Sequence, residues 1–419
     1  MERVAIVSAV RTPIGGYMGA FKDVPAYDLI APVLNEVVKR AKVDPVEVED
    51  VILGQCYQNG EYVNIARRSL LEAGWPDTVP GITIDRRCTS GMDALAIGAM
   101  QIQTEESKIV VAGAVESMST TEFYFPGNIK SGIGRGAGIS YPDAPRGHGS
   151  LKMYGITLYD RIQRSRPNHQ PSDKYGEIVS NVAWAENVAK ELGITREECD
   201  KWAMRSHQNA VAAQKNGKFK DYIVPISVPQ DKGEPIIVDT DEGPRADTSL
   251  EKLAKLKPIL GQGVCTPGNS SSENDAAAAY VLMSEKTAKA RGVVPLGYLK
   301  AWAKCADDPR LPPKSGTKCF KMVLQKAGLT IDQIDLFEIQ EAFAAQCLYN
   351  LRTVGVPLDH YDRVNVNGSG ISLGHPLGAT LALRVTALLQ EMKKRNLQYG
   401  LVGTPGAGGV ACVGVFERT

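Results

Sequence analysis

Hydrophobic positions along this chain alternate between two rhythms. Val4-Ala-Ile-Val7 is a short apolar run of buried-strand type, and Arg11-Thr-Pro-Ile-Gly-Gly16 interrupts it with turn residues. Leu29, Ile30, Val33, Leu34 and Val37 then recur at helical spacing and predict an amphipathic helix over about 26–41. Val51-Ile-Leu-Gly54 predicts the next strand and 63–73 another helix, while 108–118 reads as a fully apolar strand running into a polar turn. Strands and helices in alternation predict an α/β sheet covered on both faces.

From 119 to 263 the pattern changes. Glycines, prolines and aromatics cluster irregularly (Phe123-Tyr-Phe-Pro-Gly127, 132–136, 141–145), and only two helices stand out. These are about 178–192 and, after the capping box Thr195-Arg-Glu-Glu198, 199–215. Such a stretch is an inserted excursion of the kind that lies over a ligand site. Residues 264–283 return to the regular α/β pattern of the first 118. A second α/β half starts at Gly297, with a helix near 320–327, a strand at 336–339, a strand at 364–367, a glycine-rich turn and a helix at about 378–393. This second half repeats the first in outline, 364–393 mirroring the strand, turn and helix around Cys88, and 400–417 mirroring 108–118. The expected division is 1–118 with 264–290, an inserted 119–263, and 291–419.

One stretch organises the rest. In 81–100, Ile82 and Ile84 alternate with polar neighbours, and Met92, Leu95, Ala96 and Ala99 then recur at helical spacing. Cys88 is therefore expected at or just before a helix N-terminus, where orphan N–H groups and the helix dipole favour a thiolate, the nucleophilic form. Gly91 is expected to keep the approach to the sulfur uncrowded. The competing reading is a buried structural cysteine.

Composition narrows the classes. With 419 residues and 43% hydrophobic content the chain exceeds one ordinary core, and a net charge of +1 argues against a nucleic-acid binder. Its eight cysteines lie far apart, without C-x-x-C pairs or neighbouring histidines at metal-ligand spacing, which suits a reducing compartment and no metal site. No secretory leader is expected at the N-terminus, and no apolar run approaches the ~18 residues of a membrane span. A cytoplasmic protein, away from membranes, is the expectation.

Two partners for Cys88 suggest themselves. His375 lies in Asn367-Gly-Ser-Gly-Ile-Ser-Leu-Gly-His-Pro-Leu-Gly-Ala379, where glycines and a proline fix the backbone between strand and helix. A pseudo-twofold between the halves would bring that turn to Cys88, with the imidazole taking the thiol proton. Gln340-Glu-Ala-Phe-Ala-Ala345 follows a strand directly, at the sheet end where α/β proteins place chemistry; the plainer alternative is a helix start with Gln340 as a weak cap and Glu341 in the first turn.

Together these pieces resemble the thiolases, the acyl-CoA:acetyl-CoA acyltransferase family, over essentially the whole length. The matching segments are Arg11-Thr-Pro13, the Cys88-Thr-Ser-Gly91 turn, 111–119, 185–189, 268–275, Gln340-Glu-Ala-Phe343, and Asn365-Val-Asn-Gly368 with Gly374-His-Pro-Leu-Gly-Ala379. The resemblance implies an α/β fold of duplicated βαβαβαββ halves in five α-β-α-β-α layers with an inserted loop domain. It implies that Cys88 is the acylated nucleophile and that His375 activates it and helps bind the thioester oxygen. Gln340 falls where the family usually has asparagine and would hold a water in an oxyanion hole. Arg245 falls on a position contacting the coenzyme A nucleotide and Ser271 on one contacting its pantetheine arm. Coenzyme A and acyl-CoA are implied as substrates, with no permanently bound cofactor, and 119–263 as the domain that covers coenzyme A and builds a homodimer or homotetramer.

Two departures from the family pattern bear on mechanism. Thiolases carry a second cysteine in a C-terminal Cys-x-Gly-Gly loop that moves a proton on the α-carbon of acetyl-CoA. Here the loop runs Val402-Gly-Thr-Pro-Gly-Ala-Gly-Gly-Val-Ala411, and Cys412 lies beyond it on a strand. Pro405 lacks an N–H, so a backbone donor to a second oxyanion hole must come from Gly406 or Ala407. Ser180-Asn181 also stands where many members have His-Met lining the acyl and pantetheine pocket. Acyl transfer through Cys88 survives both changes, whereas general acid–base help worth roughly 10²–10⁴-fold needs another carrier. Two other readings stay open: an acyl-Cys88 enzyme with water or a non-CoA acceptor, and a subunit that needs a partner protein.

Overall fold

The structure, a computed structural model, describes residues 2–125, 150–153, 156–177 and 180–418. The clusters at 132–136 and 141–145, and residues 178–179 of the expected helix, lie outside the described residues. In chain order the framework is β1 (Val4–Arg11), α1 (Ala26–Ala41), β2 (Asp50–Gly54), α2 (Ile65–Glu72), β3 (Gly81–Ile84), α3 (Ser90–Gln103) and β4 (Ile109–Ser117). The inserted part contributes α4 (Val182–Leu192) and α5 (Arg196–Lys215), the latter opened by the expected Thr195–Glu198 capping box. Then follow β5 (Asn274–Ser284), β6 (Gly297–Ala306), α6 (Pro312–Ala327), β7 (Leu336–Ile339), α7 (Ala344–Val354), α8 (Thr380–Arg395), β8 (Tyr399–Gly406) and β9 (Val410–Glu417).

The strands run in the order β7-β8-β9-β6-β1-β5-β4-β2-β3, with Gly15–Gly16 as a short tenth strand against β5. Pairing is parallel only at β2/β3, β2/β4 and β7/β8. The two lobes of this sheet join through just three residue pairs of β1 and β6, Val4↔Leu299 to Ile6↔Gly297. Layering follows from the apolar faces. Leu29, Ile30 and Val33 of α1 bury against Val51, Leu53 and Val111 on the outside of the first lobe. Phe320 and Val323 of α6 and Leu348 of α7 bury against Phe337, Leu401 and Val413 on the outside of the second. Between the lobes, Met92, Leu95 and Ala99 of α3 meet Leu381, Val385 and Leu388 of α8. The result is the α-β-α-β-α arrangement of a thiolase-like fold. Among the described residues no helix is long and apolar enough to cross a membrane.

Four local expectations need correction. The helix expected near 320 begins at Pro312, because prolines in a first turn cost no helical hydrogen bond. Residues 364–367 do not form a strand: Val364 makes one bridge to Phe337, and Asn365, at φ 50°, replaces the ladder with its side chain. Its Oδ1 accepts from the Ile339 N–H at 2.8 Å and its Nδ2 donates to the Ile339 carbonyl at 2.9 Å. The stretch 400–417 is a hairpin, so β8 mirrors β4 and β9 mirrors β5. Finally, Gly91 does not clear a path to the sulfur. A Cβ there would lie 2.6 Å from the Ala382 nitrogen, so this glycine lets α3 and α8 cross closely.

Candidate active site

Cys88 sits where β3 turns into α3, one residue before the Thr89 N-cap. The turn is held by its own polar atoms: Ser90 Oγ accepts from the Arg86 N–H at 2.8 Å and donates to the Arg87 carbonyl at 2.7 Å, while Thr89 Oγ1 donates to Asp93 at 3.0 Å. The thiol is 8% exposed. Burial pushes its pKa up to about 11, against the lowering by the Ala407 N–H, which points at the sulfur, and by the Arg87 guanidinium. The sequence-level expectation of a thiol ready to ionise is therefore reversed, because desolvation outweighs the helix end.

His375 reaches the same place from the other half. Its turn is fixed by Asn274 Oδ1, which accepts from the His375 N–H at 2.8 Å, and by Glu116, which accepts from the Gly378 N–H at 2.8 Å. Glu116 also accepts from the N–H groups of Cys56 and Tyr57, both at 3.0 Å, so one buried carboxylate ties the loop after β2 to the histidine turn. The Nδ1 atom of His375 lies 2.6 Å from Thr380 Oγ1. Burial, helped by the Arg384 charge, lowers the imidazole pKa to about 3, so the ring is neutral at physiological pH. In the tautomer whose Nδ1–H donates to Thr380, Nε2 keeps a free lone pair.

Cys88, His375 and Ala407 line one cavity of about 890 Å³, together with Arg245 and Ser271. Arg245 is held by its backbone N–H, which donates to His207 Nδ1 at 3.2 Å, and Ser271 by its N–H to the Ala342 carbonyl at 2.9 Å. Ser180 and Asn181, which depart from the family pattern, line it too. Gly406 does not line the cavity, and a Cβ there would stand 3.7 Å from the Cys88 nitrogen. Cys412 is fully buried in the layer between the lobes, opposite Thr404 and Lys304, and burial raises its pKa well above the ordinary thiol value.

Gln340 is placed differently from the expectation. Its side chain is 0% exposed and is not part of the cavity wall. Its Oε1 accepts from Arg384 Nε at 3.2 Å, while Nε2 has no partner among the described residues and packs against Gly370. Neither Gln340 nor Glu341 starts a helix, since α7 begins at Ala344. Glu341 is a buried hub: it accepts from Trp202 Nε1, Ser206 Oγ, Asn365 Nδ2 and the Ile371 N–H, joining α5 to the chain that leads to His375.

Sequence reasoning missed Glu116, Asn274, Thr380 and Arg384. Only Arg384 carried a visible signal, as a charge inside the apolar run Leu381-Ala-Leu-Arg-Val385. It is 1% exposed, burial lowers its pKa, and Glu338 and Glu341 are the nearest carboxyl groups opposing that shift.

Similarity to known proteins agrees with this geometry. The thiolase N-terminal domain family model matches residues 4–286 and the thiolase C-terminal domain model residues 293–418. A probable acetyl-CoA acyltransferase of Staphylococcus aureus (strain COL) is 37% identical over 419 residues, covering 100% of both chains. An acetyl-CoA acetyltransferase of Pseudomonas aeruginosa is 39% identical over 402 residues, covering 96% of this chain and 95% of its own. The crystal structure of the Bacillus anthracis acetyl-CoA acetyltransferase superposes with a TM-score of 0.88 at 38% identity, covering 100% of this chain and 99% of that one. The chain belongs to the thiolase family and is a coenzyme A-dependent acyltransferase.

Proposed function

We propose that the protein transfers acyl groups through a Cys88 thioester. The observation that carries this is the meeting of Cys88, His375 and the Ala407 N–H, from separate segments of the two halves, on one cavity wall. The Cys88 proton passes to His375 Nε2 as the sulfur attacks the 3-oxo carbonyl of a 3-oxoacyl-CoA. The Cα–Cβ bond then breaks, acetyl-CoA leaves after its α-carbon gains a proton, and the acyl group stays on sulfur. The thiol of free coenzyme A attacks that acyl group, gives up its proton and leaves as acyl-CoA, restoring Cys88. Because thiol and imidazole are both neutral at rest, proton transfer and attack go together, with the Ala407 N–H at the sulfur and a backbone donor from the 406–407 loop for the oxyanion.

In this reading Arg245 and Ser271 hold coenzyme A, and Gln340 acts at one remove by holding Arg384 beneath the His375 turn. Residues 119–263 serve as the covering and assembly domain between the halves 1–118 with 264–290 and 291–419. We place the enzyme in the cytoplasm as a homodimer or homotetramer without a permanently bound cofactor; eight free cysteines support the reducing compartment. The test is intact-protein and peptide mass spectrometry after exposure to acetyl-CoA and to acetoacetyl-CoA. An acyl adduct on Cys88 that free coenzyme A discharges is expected. No adduct, or an adduct on Cys88→Ala, overturns the reading.

A further inference from the structure

One charged group beside the nucleophile forms no ion pair among the described residues. Arg87 precedes the nucleophile, lines the cavity and adopts a left-handed backbone, φ 53°, which a long side chain rarely takes. Its N–H donates to Asp85 Oδ1 at 2.7 Å and its carbonyl accepts from Ser90 Oγ at 2.7 Å, so the backbone that carries it is held on both sides. Among the described residues its guanidinium forms no ion pair and donates no hydrogen bond. The cavity's carboxylates are engaged elsewhere: Glu273 pairs with Arg166, Asp247 with Lys252 at 2.7 Å, and Glu242 accepts from the Gly16 N–H at 2.8 Å; Arg245, assigned above to coenzyme A, is the other arginine of the lining without an ion pair among the described residues. Asp85, the nearest carboxylate, is exposed and spends Oδ1 on the backbone.

Two more groups face the same space. Arg166 and His169 line the cavity, and after burial it is the Arg87 and Arg166 charges that lower the His169 imidazole, to about 4. His169 also lies against the C-terminal loop, its Cβ 4.0 Å from where a Gly408 Cβ would be. A neutral imidazole still donates one N–H, and a guanidinium offers a planar fork that matches a carboxylate. Arg87 is next to Cys88 in the chain and lines the same cavity, which offers its guanidinium to the part of a substrate bound beside the sulfur.

We infer that Arg87, with His169 beside it, is a subsite for a carboxylate on the acyl group, so that the acyl donor is a 3-oxoacyl-CoA bearing a second, free carboxylate. This rests on the acyl-Cys88 reading above and narrows its substrate class. The subsite selects because a half-buried guanidinium left unpaired by a neutral chain favours a carboxylated chain over it.

The experiment compares thiolysis of 3-oxohexanoyl-CoA with that of 3-oxoadipyl-CoA, its six-carbon carboxylated counterpart, in the full-length enzyme, Arg87→Met and Arg87→Lys. Wild type is expected to favour the carboxylated thioester by about tenfold or more in kcat/KM. Arg87→Met should lower that ratio at least tenfold, mainly through KM, and Arg87→Lys should fall between. A wild-type ratio of one or less, or a ratio the Met variant leaves unchanged, overturns the subsite while acyl-Cys88 adducts from both thioesters keep the transferase reading intact. Absence of any Cys88 adduct overturns both.

Discussion

Cys88 should be a slow thiol until substrate arrives. Its pKa of about 11 lies two units above the ordinary 9.0, which corresponds to about 2.7 kcal/mol against the thiolate. At pH 7.5 only roughly one sulfur in three thousand is ionised, about a hundredfold fewer than for an unhindered cysteine. His375, with a pKa of about 3, supplies no imidazolium to stabilise a resting ion pair. The perturbation is pH itself, and the assay is a short iodoacetamide pulse followed by peptide mass spectrometry at Cys88, with Cys88→Ala as control. The rate should climb about tenfold per pH unit from 7 to 10 with no plateau in that range. A plateau reached by pH 8 would mean a preformed thiolate–imidazolium pair and would refute the balance of burial over helix end drawn above.

Two further outcomes follow from the buried polar groups. Thr380→Val removes the hydroxyl 2.6 Å from His375 Nδ1, so kcat should fall about tenfold or more with little change in KM, and Thr380→Ser should restore most of it. If both variants match wild type in steady-state thiolysis, Thr380 does not set the imidazole. Glu338 is 1% exposed and burial pushes its pKa up to about 8, despite the opposing Arg384 charge. Above the unfolded value of 4.5 the unfolded chain has released this proton while the folded protein keeps it, so stability falls as pH rises from 4.5 to 8. Glu338→Gln escapes that cost: its unfolding free energy should equal wild type near pH 4.5 and exceed it by roughly 2–4 kcal/mol at pH 8. Denaturant titrations showing no widening gap would exclude a protonated Glu338.

Much of this is legible in the chain because the central signals are local. The Cys88 turn, the His375 turn and the strands at 4–7, 51–54, 108–118 and 336–339 declare themselves by period and by turn residues, and each corresponds to an element of the fold. What is not legible depends on long-range contact. Asn365 reads as part of a strand, but its amide replaces the ladder of Ile339, which no window of sequence shows. Gln340 looks like a site residue beside Glu341, and only the position of Arg384, far along the chain, turns its amide away from the cavity. The direction of the Cys88 pKa shift is hidden for the same reason: helix ends are visible in sequence, and desolvation by other segments is not.

The sheet order has a consequence in time. β1 is the first strand synthesised, and its ladder partners β5 and β6 begin at residues 274 and 297. At a typical elongation rate of ~5–20 residues per second, the first strand waits on the order of 13–50 s before either ladder partner exists. β9, placed between β8 and β6, is made after both, so the second lobe also holds an open edge until residues 410–417 emerge. Unpaired apolar edges of this kind invite association with other chains. The nascent protein is therefore a long-lived client for whatever shields such edges in the cell, and the thiol at 88 meets its base at 375 only after the whole stretch between them has been made.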